Sequence, residues 1–241
     1  MRSEHQHIVR SFEQELSDLT MKVAQMGGLA ERLLANAFDA LQRRDPELAE
    51  QAIANDRMID RLNREVEDKA ITIIAKRQPM AVDLRQIMTA MKVASDLERI
   101  GDLAKNIAKR ALAVSAETPP KQLMSGLQHM VELALSQLKA VLDAYITQDT
   151  EKAVMVWGKD GQIDAMYNSI FRELLTYMME DPRNIGFSTH LLFGAKNIER
   201  IGDHTTNIAE NVHYLVHGAM PNEARPKGDD TSTLTVTPPA K

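Results

Sequence analysis

The sequence predicts an all-α protein built from two pseudo-symmetric three-helix bundles. Apolar residues recur at helical spacing, no segment shows a convincing strand-like alternation, and the second half of the chain repeats the first. Aromatic residues make up only 4% of the 241 residues, whereas methionine occurs 14 times. This composition suits helix packing and is poor for a β-sandwich. We therefore expect six long helices, three in each half.

The repeat is clearest in a hexapeptide. Leu97–Asp102 reads LERIGD, Ile198–Asp203 reads IERIGD, and each copy continues to Asn-Ile-Ala four residues after it ends. Upstream, Asp56, Ile59 and Asp60 have identical residues 104 positions later, and the offset falls to 101 at the hexapeptide. The loop between the second and third helices is therefore three residues shorter in the second half.

Helix starts and repeat boundaries follow from local sequence. Asp45-Pro46 and Asp149-Thr150 each place an N-cap residue directly before a helical pattern. We assign residues 1–115 to the first repeat and 121–217 to the second, with the joint around the Pro-Pro pair between them. From residue 218 onward helical periodicity is lost, which predicts a disordered tail over 218–241.

Composition excludes several classes of function. The chain has no cysteine, so disulfides, thiolate metal ligands and cysteine nucleophiles are excluded. A net charge of -5 argues against nucleic acid as the main partner. No signal-peptide pattern and no run of ~20 apolar residues occurs. These features predict a cytoplasmic protein that meets a membrane only through its partners.

The repeated hexapeptide carries two carboxylates, Glu98 and Asp102, four residues apart. On a helix such residues share a face. At ~100° per residue they lie on the flank and back of the helix, away from the apolar seam that contains Leu97 and Ile100. We therefore expect this pair, and its copy in the second half, on an open helix face.

Four acidic pairs occupy repeat-related positions. They are Asp56 and Asp60, Glu98 and Asp102, Asp160 and Asp164, and Glu199 and Asp203. We expect Asp60, Glu98 and Asp102 to converge in one site, and Asp164, Glu199 and Asp203 in its twin. Crowded carboxylates need protons, arginines or a cation, and an all-oxygen set suits divalent or trivalent metal ions such as Mg, Mn, Ca, Fe or Zn. The alternative is solvated surface acids paired with nearby cations: Arg57, Arg99, Lys105 and Arg200.

Two further features allow more than one interpretation. Gly101 and Gly202 interrupt helices at a cost of about 1 kcal/mol relative to alanine, either for close helix packing or for approach of a ligand. Glu4-x-x-His7 and Glu210-x-x-His213 have the spacing found in di-iron proteins, but they lack repeat-related partner glutamates. His204 is a lone histidine beside Asp203, more typical of a structural residue than of a ligand.

The doubled E-R-I-G-D and N-I-A sequences resemble the PhoU family of bacterial phosphate-signalling regulators. Ala75–Pro79 and Tyr177–Asp181 are also similar to that family, and the resemblance extends over residues 5–217. It implies an all-α fold, a homodimer, and metal binding by the four acidic pairs. It also implies a non-enzymatic adaptor that links the ATPase of the phosphate ABC transporter to the sensor histidine kinase and represses the phosphate-starvation response.

Two other classes of function remain open at this stage. A metal-dependent hydrolase or oxidase would need a nucleophile, a base and a concave pocket around the metal. An amphipathic bundle on a membrane surface would need a basic polar face opposite aromatic residues. Acidic clusters on open helix faces with few candidate bases favour the adaptor over the enzyme, and an acidic, aromatic-poor chain argues against the membrane-surface bundle.

Overall fold

The computed structural model describes residues 2–116 and 121–221, with side chains from residue 10 to 116 and from 123 to 221. The elements are α1 (Arg2–Arg43), α2 (Pro46–Arg77), α3 (Ala81–Ala113), α4 (Lys121–Thr147), α5 (Thr150–Trp157), α6 (Asp160–Glu180), a short 3-10 turn (Pro182–Asn184) and α7 (Ile185–His217). The described part contains no strand, and the all-α helical-bundle class is confirmed.

One predicted helix is interrupted. The second helix of the second half divides at Gly158-Lys159 into α5 and α6, whereas its counterpart α2 is continuous. Residues 117–120 of the predicted joint and 222–241 of the predicted tail lie outside the described residues. The repeat boundaries proposed above therefore stay a prediction.

The predicted helix starts are confirmed. Asp45 caps α2, because its side chain accepts a hydrogen bond of 3.1 Å from the amide of Leu48. Asp149 caps α5 in the same way, with a bond of 3.0 Å from the amide of Lys152. Each cap satisfies an amide that the first helical turn leaves without a partner.

Each half buries an apolar seam between its helices. Leu97, Ile100 and Ile107 of α3 are fully buried, as the helical spacing predicted, and Ile201 and Ile208 of α7 are their counterparts. Burying a large aliphatic side chain contributes about 1.5–3 kcal/mol. These seams hold α1 and α2 against α3, and α4, α5 and α6 against α7.

The two halves meet through α3 and α7, which run antiparallel, and through α1 and α4. The antiparallel direction follows from two contacts. The Lys92 ammonium lies 5.2 Å from the centre of the Tyr214 ring, and the Arg110 guanidinium lies 4.9 Å from that of Phe193. No helix in the described part is both long enough and apolar enough to cross a membrane.

Candidate functional site

Four of the eight predicted site carboxylates are buried, and the expectation of an open helix face is wrong for one of the residues it concerned, Glu199. Asp56 and Asp160 are 3% exposed, Asp164 and Glu199 are 5% exposed, and the other four, Asp60, Glu98, Asp102 and Asp203, are half-buried. The helical projection assumed one apolar seam per helix. In the bundle α3 contacts α1, α2 and α7, and α7 contacts α3, α4, α5 and α6. The buried arc of each helix is therefore wider, and it takes in Glu199 fully and the other three acids of the repeated hexapeptide in part.

Two glycines explain the close approach of the acid-bearing helices. A Cβ atom on Gly101 would lie 2.9 Å from Cδ1 of Ile59 and 3.2 Å from Oδ1 of Asp56. A Cβ atom on Gly202 would lie 2.9 Å from Cδ1 of Ile163. Both contacts are shorter than ordinary van der Waals packing. Of the two interpretations of these glycines, helix packing is the one that the structure supports.

The first cluster, formed by Asp56, Asp60, Glu98 and Asp102, contains a lysine. The Lys105 ammonium donates to Oδ2 of Asp56 at 2.5 Å and to Oδ1 of Asp102 at 2.6 Å. Burial alone would lower the pKa of Lys105, but its bonds to Asp102 and Asp56 outweigh that effect and raise the pKa. Lys105 therefore stays charged and acts as a cation built into the cluster.

Burial has the largest effect on the pKa values of two acids in the first cluster. It raises the pKa of Asp56 despite the bond from Lys105, and the charges of Asp60 and Asp102 raise it further. Burial likewise raises the pKa of Glu98, with Arg99 opposing it and Asp102 and Asp60 reinforcing it. Arg99 is only loosely engaged, since its contacts with Glu98 and Asp102 are both 3.4 Å. The solvated-acid alternative identified Lys105 as a partner correctly but placed it at the surface.

The second cluster, formed by Asp160, Asp164, Glu199 and Asp203, is neutralised differently. Thr206 occupies the position in the second repeat that corresponds to Lys105 in the first. Its buried hydroxyl donates to Oδ1 of Asp160 at 2.8 Å. The cation comes instead from Lys196, whose ammonium lies 2.9 Å from Oε1 of Glu199. Burial raises the pKa of Glu199, although Lys196 opposes it.

Each cluster keeps one buried carboxylate oxygen without a hydrogen bond in the described structure, Oδ1 of Asp56 and Oε2 of Glu199. Hard cations bind such oxygens, so the donor set fits the predicted metals chemically. Among the described residues, however, no three histidine, aspartate or glutamate side chains are arranged to hold a metal ion. A metal ion would therefore require these carboxylates to turn and a lysine to withdraw.

A third polar group, which the sequence did not predict, lies between the halves. Asp96 on α3 accepts from Nδ1 of His204 on α7 at 2.9 Å, and more weakly from Nδ2 of Asn207 at 3.4 Å. His204 is thus a structural residue, as its isolation in the sequence indicated. A signal for this pair existed: Asp96 and His204 both break the repeat, where Asn197 and Leu103 are their counterparts.

The E-x-x-H spacing near the end of α7 has a structural explanation. Glu210 accepts from the indole of Trp157 at 3.3 Å, and Nδ1 of His213 lies 2.9 Å from the carbonyl oxygen of Ala219. These bonds attach the end of α7 to α5 and to the chain after the helix. The side chains of the other pair, Glu4 and His7, lie outside the described residues.

Known proteins are similar to this chain over nearly its whole length. A family model described as PhoU domain matches residues 23–111 and 127–212. The phosphate-specific transport system accessory protein PhoU homolog of Rhizobium meliloti is 55% identical over 95% of this chain and 97% of its own length. The protein PhoU of Escherichia coli is 38% identical over 89% of this chain and 88% of its own.

A solved structure has the same fold. The crystal structure of PhoU from Pseudomonas aeruginosa superposes with a TM-score of 0.83 at 38% sequence identity. The match covers 86% of this chain and all of that one. The architecture described above is therefore shared with an experimentally determined relative.

Proposed function

Because the chain belongs to the PhoU family, we propose that it is a non-enzymatic, cytoplasmic accessory protein that regulates phosphate transport. Its proposed partners are the ATPase of a phosphate ABC transporter and the sensor histidine kinase of the phosphate two-component system. Contact with both represses the phosphate-starvation response when phosphate is plentiful. The single observation that carries this proposal is the match of both repeats to one family.

The contents of the clusters support an adaptor rather than the alternative hydrolase or oxidase. Their carboxylates are met by Lys105, Lys196 and the hydroxyl of Thr206. A buried carboxylate that is paired with a lysine is less available to accept a proton from a substrate. It is therefore poorly placed to act as a general base. The long helices of the bundle offer side surfaces for protein partners instead.

Metal binding is a further part of the proposal. The residues that would hold an ion are Asp56, Asp60, Glu98 and Asp102 in the first cluster and Asp160, Asp164, Glu199 and Asp203 in the second. A divalent or trivalent ion, such as Mg, Mn, Fe or Zn, would supply positive charge to crowded carboxylates. The free oxygens of Asp56 and Glu199 support this, and the lysine already in each cluster implies weak, exchangeable binding. The resemblance to the family also supports a homodimer.

A deletion strain tests the regulatory role. If the chain represses the starvation response, its deletion should leave alkaline phosphatase expressed when phosphate is abundant, and a plasmid copy should restore repression. A strain that still shuts off alkaline phosphatase normally would refute the proposal. A pull-down at high and low phosphate, with and without a chelator, would then show whether the ATPase and the kinase are bound and whether a metal ion matters.

A further inference from the structure

The first turns of α3 carry an unusually apolar surface. Four large side chains of the α2–α3 connection and of α3 are exposed: Met80 by 81%, Val82 by 57%, Met88 by 40% and Leu84 by 37%. Isolated exposed apolar residues are normal on protein surfaces, whereas a contiguous group marks a site of interaction. Leu84 and Met88 of this group line one pocket together with Arg85 and Tyr214. We call the surface formed by Leu84, Arg85, Met88, Lys92 and Tyr214 the α3 docking surface.

A shallow pocket of about 280 Å³ lies at the centre of this surface and is lined by Ala81, Leu84, Arg85, Met88 and Tyr214. Ala81, Arg85, Met88 and Lys92 follow one another at helical spacing and share a face of α3. Tyr214 closes the pocket from α7, with the Lys92 ammonium 5.2 Å from its ring centre. The pocket therefore combines an apolar floor with two cations at its edge.

The Arg85 guanidinium has hydrogen-bonding capacity that the described residues do not use. Its Nε is buried without a hydrogen-bond partner, and no described carboxylate forms an ion pair with Arg85 or Lys92. The guanidinium lies close to Gly218 at the end of α7, where any side chain would collide with it. Asp83, the acid of the first turn, lies about 160° around the helix from Arg85. The Arg85 guanidinium therefore has no carboxylate partner among the described residues, and a carboxylate supplied from outside would pair with it through a charge-assisted bond.

We propose that the α3 docking surface binds an acidic segment of a partner protein, in which a carboxylate stands beside a large apolar side chain. The carboxylate pairs with Arg85 and the apolar side chain enters the pocket between Leu84, Met88 and Tyr214. Charge complementarity supports this occupant, because the surface is cationic in a chain whose net charge is -5. The inference rests on the proposed function, since it assumes that the chain works by contacting proteins.

Site-specific photo-crosslinking tests the inference and can be applied to a partner of any identity. A photo-reactive phenylalanine replaces Met88 in the full-length chain, cells grown in abundant phosphate are irradiated, and crosslinked peptides are sequenced by mass spectrometry. We expect a peptide from another protein with aspartate or glutamate next to an apolar residue. Arg85→Glu in the same chain should reduce the yield about tenfold, as expected for loss of one charge-assisted bond.

A matched control separates local from global charge effects. Arg32→Glu makes the same change at an exposed arginine of α1. Arg77 pairs with Glu15, which places the start of α3 near the start of α1, about 25 Å of helix away from Arg32. This control should leave the yield unchanged. Circular dichroism of each variant excludes loss of fold, and Met88→Ala provides a second, charge-neutral variant expected to weaken binding.

Four outcomes would overturn the inference: crosslinks to phospholipid, to residues 222–241 of the same chain, to a second copy, or to no acidic peptide at all. The same holds if Arg85→Glu leaves the yield unchanged. The regulatory proposal is judged separately by alkaline phosphatase in the deletion strain. A strain that loses repression on deletion but keeps it with Arg85→Glu would reject the docking surface and leave the adaptor role intact.

Discussion

Lys105 places its ammonium nitrogen 2.5 Å from the buried Oδ2 of Asp56, so the first carboxylate cluster contains its own cation. The corresponding position of the second half is Thr206, a neutral donor to Asp160. The two clusters are therefore related by the repeat in their acids but not in their neutralisation. This difference predicts different responses to mutation and to metal.

Lys105→Met should destabilise the protein. The change leaves Asp56 buried beside Asp60 and Asp102 without a cation, and removing one partner of a buried pair is costly. Because the Lys105 side chain is 22% exposed, we expect a loss of about 2 kcal/mol rather than the largest values known for such pairs. Urea denaturation of the purified variant measures it.

Asp56→Asn in the Lys105→Met background is the matched test of that mechanism. It removes the stranded charge, so the double variant should recover most of the lost stability. Equal stability of the single and double variants would show that the charge of Asp56 is not the cause.

Three glycine-to-alanine variants separate helix propensity from packing. A Cβ atom on Gly28 would have no neighbouring atom within 4 Å, so Gly28→Ala should stabilise α1 by about 1 kcal/mol. Gly101→Ala meets Ile59 at 2.9 Å and the Asp56 carboxylate at 3.2 Å, and should destabilise by about 1 kcal/mol or more because overpacking exceeds the gain in propensity. Gly202→Ala meets only the flexible end of Ile163 at short distance and should fall between them. Thermal unfolding of the three variants would contradict this account if all shifted alike.

The repeat, the caps and the apolar seam could be predicted from the sequence because each depends on local pattern. Asp45 needs only its own helix to act as a cap, and Leu97 and Ile100 need only the period of 3.6 residues of an α-helix. The burial of Asp56 and Glu199 could not be predicted in this way, because it depends on how closely a second helix approaches at Gly101 and Gly202.

Positions at which the two repeats differ were more informative about side-chain partners than positions at which they match. Lys105 and Thr206 differ between the halves, as do Asp96 and Asn197, and each difference marks a place where the structure is asymmetric. The repeated hexapeptide indicated where the acids recur, and the metal site inferred from them stays a prediction. The residues that neutralise the acids of each cluster could be identified only from the distances between side chains.

Asp96→Asn should loosen the contact between the two halves. Asp96 and His204 are both largely buried and join α3 to α7 at 2.9 Å, and a hydrogen bond to a charged group contributes about 1.5–3 kcal/mol. Asparagine keeps one acceptor, so we expect a loss of about 1 kcal/mol. Hydrogen exchange should quicken in the middle of α3 and α7 while α2, which contributes no residue to this pair, exchanges as before. Uniform acceleration in all helices would point to general destabilisation instead.

Glu199→Gln predicts a pH-dependent gain in stability. Burial raises the pKa of Glu199 above its ordinary value of 4.5, so the folded protein holds this proton more tightly than the unfolded chain does. The contribution of Glu199 is therefore present in full below about 4.5 and is lost as the pH rises through the raised folded pKa. Near pH 4.5 the variant and the parent should be equally stable, and at pH 7 the variant should be more stable.

The quantity to measure is the difference in stability between the Glu199→Gln variant and the parent at each pH. Other acids of the protein have lowered pKa values, so their contributions to stability change with pH in the opposite direction. Arg77 lowers the pKa of Glu15 and Lys22 lowers that of Glu65, so those pairs lose stability on acidification. Urea denaturation of parent and variant at each pH cancels these shared terms. A constant difference between pH 4.5 and 7 would show that Glu199 keeps its ordinary pKa in the folded protein.

Adding a lysine to a cluster, or removing one, should change the affinity of that cluster for metal ions. Thr206→Lys would bring to the second cluster the cation that Lys105 supplies to the first, and should weaken Mn²⁺ binding there by competing for Asp160. Lys105→Met should strengthen binding at the first cluster, because its carboxylates then lack a counter-charge. Calorimetric titration with Mn²⁺ measures both, and Glu98→Ala with Asp102→Ala serves as the loss control for the first cluster. If Lys105→Met leaves Mn²⁺ binding unchanged, or if the Glu98 and Asp102 double variant keeps the full stoichiometry, the carboxylates of the first cluster serve packing and ion pairing alone.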